Sequence, residues 1–234
     1  VTTHDQLQEI HWASLEVLER TGCRVFHETM LERLKQAGAH VSDGNLVKIP
    51  GRLVEWALRV ASERIVLCDR QGERALFLEG HKTYFGTGSD TPFTIDPYTG
   101  KRRRATYQDV KNFARLAQAL PNIDFHMSLG IVQDTAVGTY DRWQYLAMLE
   151  GTNKPINATA VDAEGVKDML EMACIRLGGK EEWIKGPAFS LYIEPVSPLS
   201  HSEEVIQKLL IRYYGGVIVY LECLRVVTEA MVCG

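Results

Sequence analysis

Three segments in the second half of the chain alternate apolar with polar side chains, where a strand buried on both faces would be apolar throughout. In the first, Ile123, Phe125, Met127, Leu129 and Ile131 share one face and Asp124, His126, Ser128 and Gly130 the other, with Gln133 and Asp134 beyond the carboxyl end. In the second, Ile156, Ala158 and Ala160 alternate with Asn157 and Thr159; in the third, Phe189, Leu191 and Ile193 alternate with Ser190, Tyr192 and Glu194. Helices between such strands cover the apolar face, so the polar face turns the other way. In a (β/α) barrel that direction is the lumen, and barrel enzymes hold substrate on polar residues near the carboxyl ends of strands. His126, Ser128, Asn157, Thr159, Tyr192 and Glu194 are therefore the candidate binding residues. The same alternation also fits a one-sided sheet with a solvated polar face.

Glu194 ends its strand and precedes the rigid run Pro195-Val196-Ser197-Pro198-Leu199-Ser200-His201. With Tyr192 two residues earlier, it would offer a carboxylate and an aromatic surface to an ammonium ligand, unless it pairs with a lysine or arginine. His126, His201 and Glu194 are metal-ligand types, but none has the His-x-x-x-His or Glu-x-x-His spacing of a built site, so no metal is expected. Gly86-Thr87-Gly88-Ser89-Asp90 lacks the Gly-Lys-Ser/Thr ending of a phosphate loop and reads as a hairpin turn. Lys101-Arg102-Arg103-Arg104 has no interleaved aromatics and reads as a solvated hairpin leg.

The elements that would position these residues fall into two rhythms, with the boundary expected near residue 105. Residues 1–105 read as an N-terminal α+β region. Leu7, Ile10, Val17 and Leu18 lie on one helical face, opened by a Thr3/Gln6 capping box and stopped at Thr21-Gly22. Leu31, Leu34 and Ala37, then Leu53, Val54, Ala57, Leu58 and Ala61, mark two further helices around a short strand at Leu46–Ile49. From Ile65 the period becomes that of strands (65–68, 75–78, 83–85 and 93–95), read as an antiparallel hairpin array. Thr106 and Asp109 cap a helix running to Leu120. Residues 106–234 then alternate strands at 123–131, 155–161, 189–194 and 217–221 with helices at 141–150, 164–177 and 203–211. That alternation predicts parallel βα units and an α/β fold, a doubly wound sheet or a barrel. No Gly-x-Gly-x-x-Gly follows any strand, which disfavours dinucleotide binding.

The chain has 234 residues, 26 Lys+Arg against 30 Asp+Glu and 45% hydrophobic residues, values of an ordinary globular protein with a packed core. A mildly acidic total gives no footprint for nucleic acid, and no segment has the length and apolarity of a membrane span or a signal peptide, so a cytoplasmic protein is expected. The five cysteines are scattered, without Cys-x-x-Cys pairs, and read as free thiols.

Several stretches, taken in order, resemble the trimethylamine methyltransferase family, whose members without pyrrolysine include glycine betaine methyltransferases. They are Leu15-Glu16-Val17-Leu18-Glu19-Arg20-Thr21-Gly22, Gln36-Ala37-Gly38-Ala39-His40-Val41, Phe85-Gly86-Thr87-Gly88-Ser89-Asp90 and Ile95-Asp96-Pro97-Tyr98-Thr99-Gly100-Lys101-Arg102-Arg103. The helix from Asp109-Val110 to Leu120-Pro121-Asn122-Ile123-Asp124 and the Ser197-Pro198-Leu199-Ser200-His201 run complete the set. The resemblance implies a partial (β/α)8 TIM-type barrel preceded by the N-terminal region. It also implies transfer of a methyl group from a small methylated amine to the cobalt of a corrinoid carried by a cognate protein, with no cofactor bound directly. Members of the family are longer, the later strands where the methylamine branch carries pyrrolysine have no counterpart here, and no catalytic residue is carried over. Reduced cobalt attacking a quaternary ammonium expels a neutral amine and needs no proton donor, so the protein's work is positioning and desolvation. Tight pairing with a carboxylate would favour the charged ground state, which favours Tyr192 over Glu194 as cation partner. A quaternary amine such as glycine betaine is the expected substrate, with a tertiary amine next. Half a barrel would leave strand edges and the apolar 217–221, Val226-Val227 and Met231-Val232 segments uncovered, so a homo-oligomer is expected. The alternatives are a truncated, non-catalytic relative that binds the corrinoid protein or oligomerises, and an unrelated barrel enzyme acting on a small polar substrate.

Overall fold

A computed structural model describes residues 2–61 and 64–211 and the backbone of 217–220. The described chain divides into two compact units: residues 2–61 with 194–210, and residues 64–193 with 211 and 217–220. The expected boundary near residue 105 does not coincide with this division. The 83–105 region stays with residues 106–193 because its backbone bonds there: Phe85 O accepts from Asp124 N–H and Gly88 O from Leu129 N–H.

In the first unit, Thr3 and Gln6 form the expected capping box and open α1 (His4–Glu16), which passes into a π-turn over Val17–Thr21. Gly22, at φ 76°, ends it where a Cβ would meet the Val47 carbonyl oxygen at 2.4 Å, so only glycine fits. The expected apolar face of α1 is not a core face: Leu7 and Ile10 are more than half exposed and only Leu18, in the π-turn, is buried. After β1 (Cys23–Val25) come α2 (Glu28–Gln36), β2 (His40–Ser42), β3 (Leu46–Lys48) and α3 (Gly51–Val60). Met30, Leu34, Val47, Ile49, Leu53 and Ala57 form the core. β10 (Ser200–His201) adds to β1 in parallel, giving the sheet order β10-β1-β3-β2, and α8 (Glu203–Leu210) follows.

The second unit starts with two separate hairpins rather than one array: β4 (Ile65–Cys68) with β5 (Arg74–Leu78), and β6 (Phe93–Ile95) with β7 (Arg102–Arg104). The intervening 83–85 segment is no antiparallel strand; Gly86 bridges Phe125 in parallel. Likewise 123–131 forms no continuous strand, only bridges at Phe125 and His126. Thr87 explains the interruption, since its hydroxyl accepts from Met127 N–H and donates to Met127 O, both at 2.7 Å, in place of a backbone partner. Helix α4 (Tyr107–Ala119) opens on the expected Thr106/Asp109 capping box and packs on α5 (Tyr140–Gly151). β8 (Ile156–Ala158), α6 (Ala163–Leu177), a short α7 (Lys180–Lys185) and β9 (Phe189–Ile193) follow.

The parallel connections run in chain order. Gly86 bridges Phe125, His126 bridges Ile156, β8 pairs with β9, and β9 pairs with β11 (Val217–Tyr220) through Ser190 with Val217 to Ile193 with Tyr220. The fold is mixed α/β, and no closed barrel forms among the described residues. Leu221, Val226-Val227, Met231-Val232, Cys223 and Cys233 lie outside the described residues. Cys23, Cys68 and Cys174 are free thiols, the first two buried. Among the described residues no helix is long and apolar enough to cross a membrane.

Candidate functional site

The register that aligns the parallel segments also aligns their carboxyl ends. Ser128 and Thr159 lie two and one residues past the bridging His126 and the paired Ala158, and Asp90 lies four past the bridging Gly86, each on a successive segment. Their side chains meet on one atom: Asp90 Oδ1 accepts from Ser128 Oγ at 2.9 Å, Thr159 Oγ1 at 3.2 Å and Gln144 Nε2 at 2.9 Å. Ser128 Oγ in turn accepts from the Asp90 backbone N–H at 3.2 Å. Asp90 adopts φ 50°, a left-handed conformation that costs a non-glycine residue energy and is tolerated best by Asp and Asn. Gln144 reaches the cluster from the second turn of α5, and Tyr140 stands one turn before it on the same helix face. Burial pushes the Tyr140 phenol upward, and the charges of Asp90 and Asp141 add to the shift.

One layer deeper sit the residues toward the amino ends of the segments. His126 is fully buried, with Nδ1 3.0 Å from Thr87 Oγ1. Because the Thr87 hydroxyl gives its proton to Met127 O, the hydrogen count makes His126 Nδ1 the donor and leaves Nε2 as an acceptor without a partner among the described residues. Burial, then the charge of Lys154, pulls its pKa down to about 4, so the imidazole is neutral near pH 7. Lys154 itself donates to the carbonyls of Ala117, Leu120 and Ile123 at 2.6 to 2.7 Å, closing the end of α4. Asn157 Oδ1 accepts from Ser190 Oγ at 3.2 Å, a buried rung between β8 and β9.

Of the residues singled out in the sequence, Ser128 and Thr159 are brought together on Asp90, while His126 and Asn157 lie below them. Tyr192 is half-buried on β9, one step beyond the Ala158–Leu191 pair and on the strand face that carries Ser190. Glu194 is exposed and belongs to the first unit, as does His201. Among the described residues no three His, Cys, Asp or Glu side chains gather where they could hold a metal ion. Sequence reasoning missed Asp90, Thr87, Gln144 and Tyr140. The Gly86–Asp90 run is not the expected hairpin turn but the first parallel segment, and a Cβ on Gly86 would sit 2.2 Å from the Phe125 ring. The signal was available: two glycines in one short run mark close backbone approach as well as turns.

The supporting frame is held by charge. Asp141, fully buried, accepts from Val161 N–H at 2.8 Å and so ties the start of α5 to the loop that carries Thr159. Arg142 spans Asp141, Asp162 and Asp168 at 3.1, 3.2 and 2.8 Å. The basic stretch is not merely a solvated hairpin leg. Arg103 clasps Asp96 at 3.0 Å and Asp109 at 2.6 Å, binding the β6–β7 hairpin to the start of α4, and Arg102 lies 3.7 Å over the Phe93 ring.

A family model described as trimethylamine methyltransferase (MTTB) matches residues 1–222. The chain belongs to this family. It is 31% identical over 216 residues to trimethylamine methyltransferase MttB of Desulfitobacterium hafniense, covering 86% of this chain and 42% of that protein. It is 30% identical over 213 residues to glycine betaine methyltransferase of the same species, covering 90% and 44%. It is 31% identical over 222 residues to trimethylamine methyltransferase MttB of Methanosarcina barkeri, covering 89% and 43%. The chain thus spans under half the length of these methyltransferases.

Proposed function

We propose that this member of the trimethylamine methyltransferase family contributes the first strands of a (β/α) barrel, and that the barrel holds a methylated amine for methyl transfer. The observation that carries this reading is the convergence of Asp90, Ser128 and Thr159, one from each of three successive parallel segments, at their carboxyl ends. Parallel segments that follow one another in chain order favour a barrel over a doubly wound sheet, whose order reverses at a switch point.

The acceptor in this reading is the cobalt of a corrinoid presented by a separate protein, which acts as a second substrate. Its electron pair forms the new bond to the methyl carbon as the carbon–nitrogen bond breaks, and the old pair leaves with nitrogen. For a quaternary ammonium the leaving group is a neutral amine and no proton moves. The polar side chains therefore serve to bind and orient, and closure of the rest of the barrel excludes water. The segment edges left without partners among the described residues make self-association the expected behaviour of the chain, within a cytoplasmic setting.

The test mixes the chain, joined to its native downstream sequence where the gene continues, with a reduced corrinoid protein and either trimethylamine or glycine betaine. Appearance of dimethylamine or dimethylglycine together with methyl-cobalt absorbance is the expected result. Binding of the corrinoid protein without methyl transfer would replace the enzyme reading with that of a non-catalytic relative.

A further inference from the structure

The Asp90 carboxylate is held more elaborately than a loop needs. Its Oδ1 collects donors from a serine, a threonine and a helical glutamine, while Oδ2 takes no donor among the described residues. Gln144 is almost fully buried and spends its amide NH2 on Asp90 while its Oε1 has no partner among the described residues. An unpaired buried acceptor costs stability and calls for an explanation. The amide cannot be reversed, because its oxygen would then face the carboxylate. The cluster is thus rich in acceptors, the partly exposed Asp90 carboxylate and the buried Gln144 Oε1 among them, and a cation or a donor is the ligand that complements it. Tyr140, close enough for its phenol to feel the Asp90 charge, adds an aromatic ring from the preceding turn of α5.

We propose that Asp90 is the specificity-determining residue that orients the positively charged nitrogen of the methylated amine, with Gln144 as its positioning residue. The substrate class rests on the methyl-transfer reading above; the preference for a cation rests on the cluster itself. Three donors on Oδ1 spread the carboxylate charge, so Asp90 attracts the ammonium without forming a tight pair that would resist loss of the charge during transfer. It also turns a carboxylate on the substrate, such as that of a betaine, away from this end of the site.

The test is calorimetric titration of the 234-residue chain with trimethylammonium chloride and, separately, with tert-butanol, a neutral molecule with the same three-methyl cap and one donor. Asp90→Asn keeps an oxygen for the three donors and replaces only the charge and the unfilled acceptor. The wild-type chain is expected to prefer the cation, and the variant to lose about ten-fold of that preference. The ratio of the two affinities within each protein is the readout, so a partly unfolded variant still reports. Thr159→Val, which keeps the charge, is expected to retain the preference. A wild-type chain with no preference for the cation, or an Asp90→Asn chain that keeps it in full, overturns the proposal. Cation binding that depends on Asp90 alongside absent methyl transfer would instead sink the enzymatic reading and leave this one standing.

Discussion

Trp183→Ala is expected to lower the stability of the second unit by about 3–5 kcal/mol, the cost of emptying a fully buried large aromatic position. Trp183 has no exposed surface, its ring centroid is 5.0 Å from that of Phe189, and Phe189 is 4.9 Å from Tyr145. The three rings join α7, β9 and α5. Helix α7 has only six residues, too few to persist on intrinsic propensity, and it follows Gly178 and Gly179 at φ 94° and 145°. Its one buried side chain is therefore its anchor, and β9 loses the support of its first residue when that anchor goes. Urea unfolding monitored by circular dichroism measures the effect, with Trp183→Phe expected to recover much of it. A loss below about 1 kcal/mol would show that the ring cluster does not organise β9.

Acidification from pH 6.5 to pH 4 is expected to destabilise the protein before the Asp96 and Asp109 carboxylates are protonated. Burial holds both His126 and His201 down at about 4 from an ordinary 6.5. The unfolded chain therefore takes up protons in this interval while the folded chain does not, and stability falls as pH falls. Above pH 6.5 both states are neutral and the effect vanishes; below about pH 4 both are charged and it levels off. The 2.5-unit difference bounds each histidine's contribution at about 3 kcal/mol. Asp96 and Asp109, held at about 2 by their hydrogen bonds with Thr99 and Arg103 and with Arg103 and Thr106 respectively, lose their contribution only below pH 3.8, so the two windows separate. Melting temperatures across pH 7 to 4 read the effect. His126→Asn, whose amide can still donate to Thr87, is expected to remove the His126 share of the slope; an unchanged slope would show that His126 is not held neutral.

What the sequence made legible was local. Thr3 with Gln6 and Thr106 with Asp109 have cap spacing, and both boxes form. The alternation around Ile156–Ala158 and Phe189–Ile193 marks strands whose polar residues, Asn157 and Ser190, do share a face and a hydrogen bond. The first polar segment carried the same alternation but is nearly all irregular, because Thr87 substitutes for backbone partners there, and no periodicity within 123–131 reports a side chain 40 residues earlier. Asp90 was hidden for a related reason. A glycine-rich run looks alike as a hairpin turn and as a segment that another backbone approaches closely, and only the Phe125 ring against Gly86 distinguishes them. Leu7 and Ile10 share a helical face by spacing, yet both are exposed, because spacing records amphipathicity and not what lies opposite. Helix α7 is too short to carry a period at all.

The most direct test of a ligand site at the carboxyl ends of the parallel segments is chemical-shift mapping of the isotope-labelled chain titrated with trimethylammonium chloride. A site centred on Asp90 predicts saturable shifts at the amides of Asp90, Ser128 and Thr159 and at the Gln144 side-chain NH2, with His126 and Asn157 one layer below moving less. Saturable shifts centred elsewhere, or shifts that grow linearly without saturation, would contradict it.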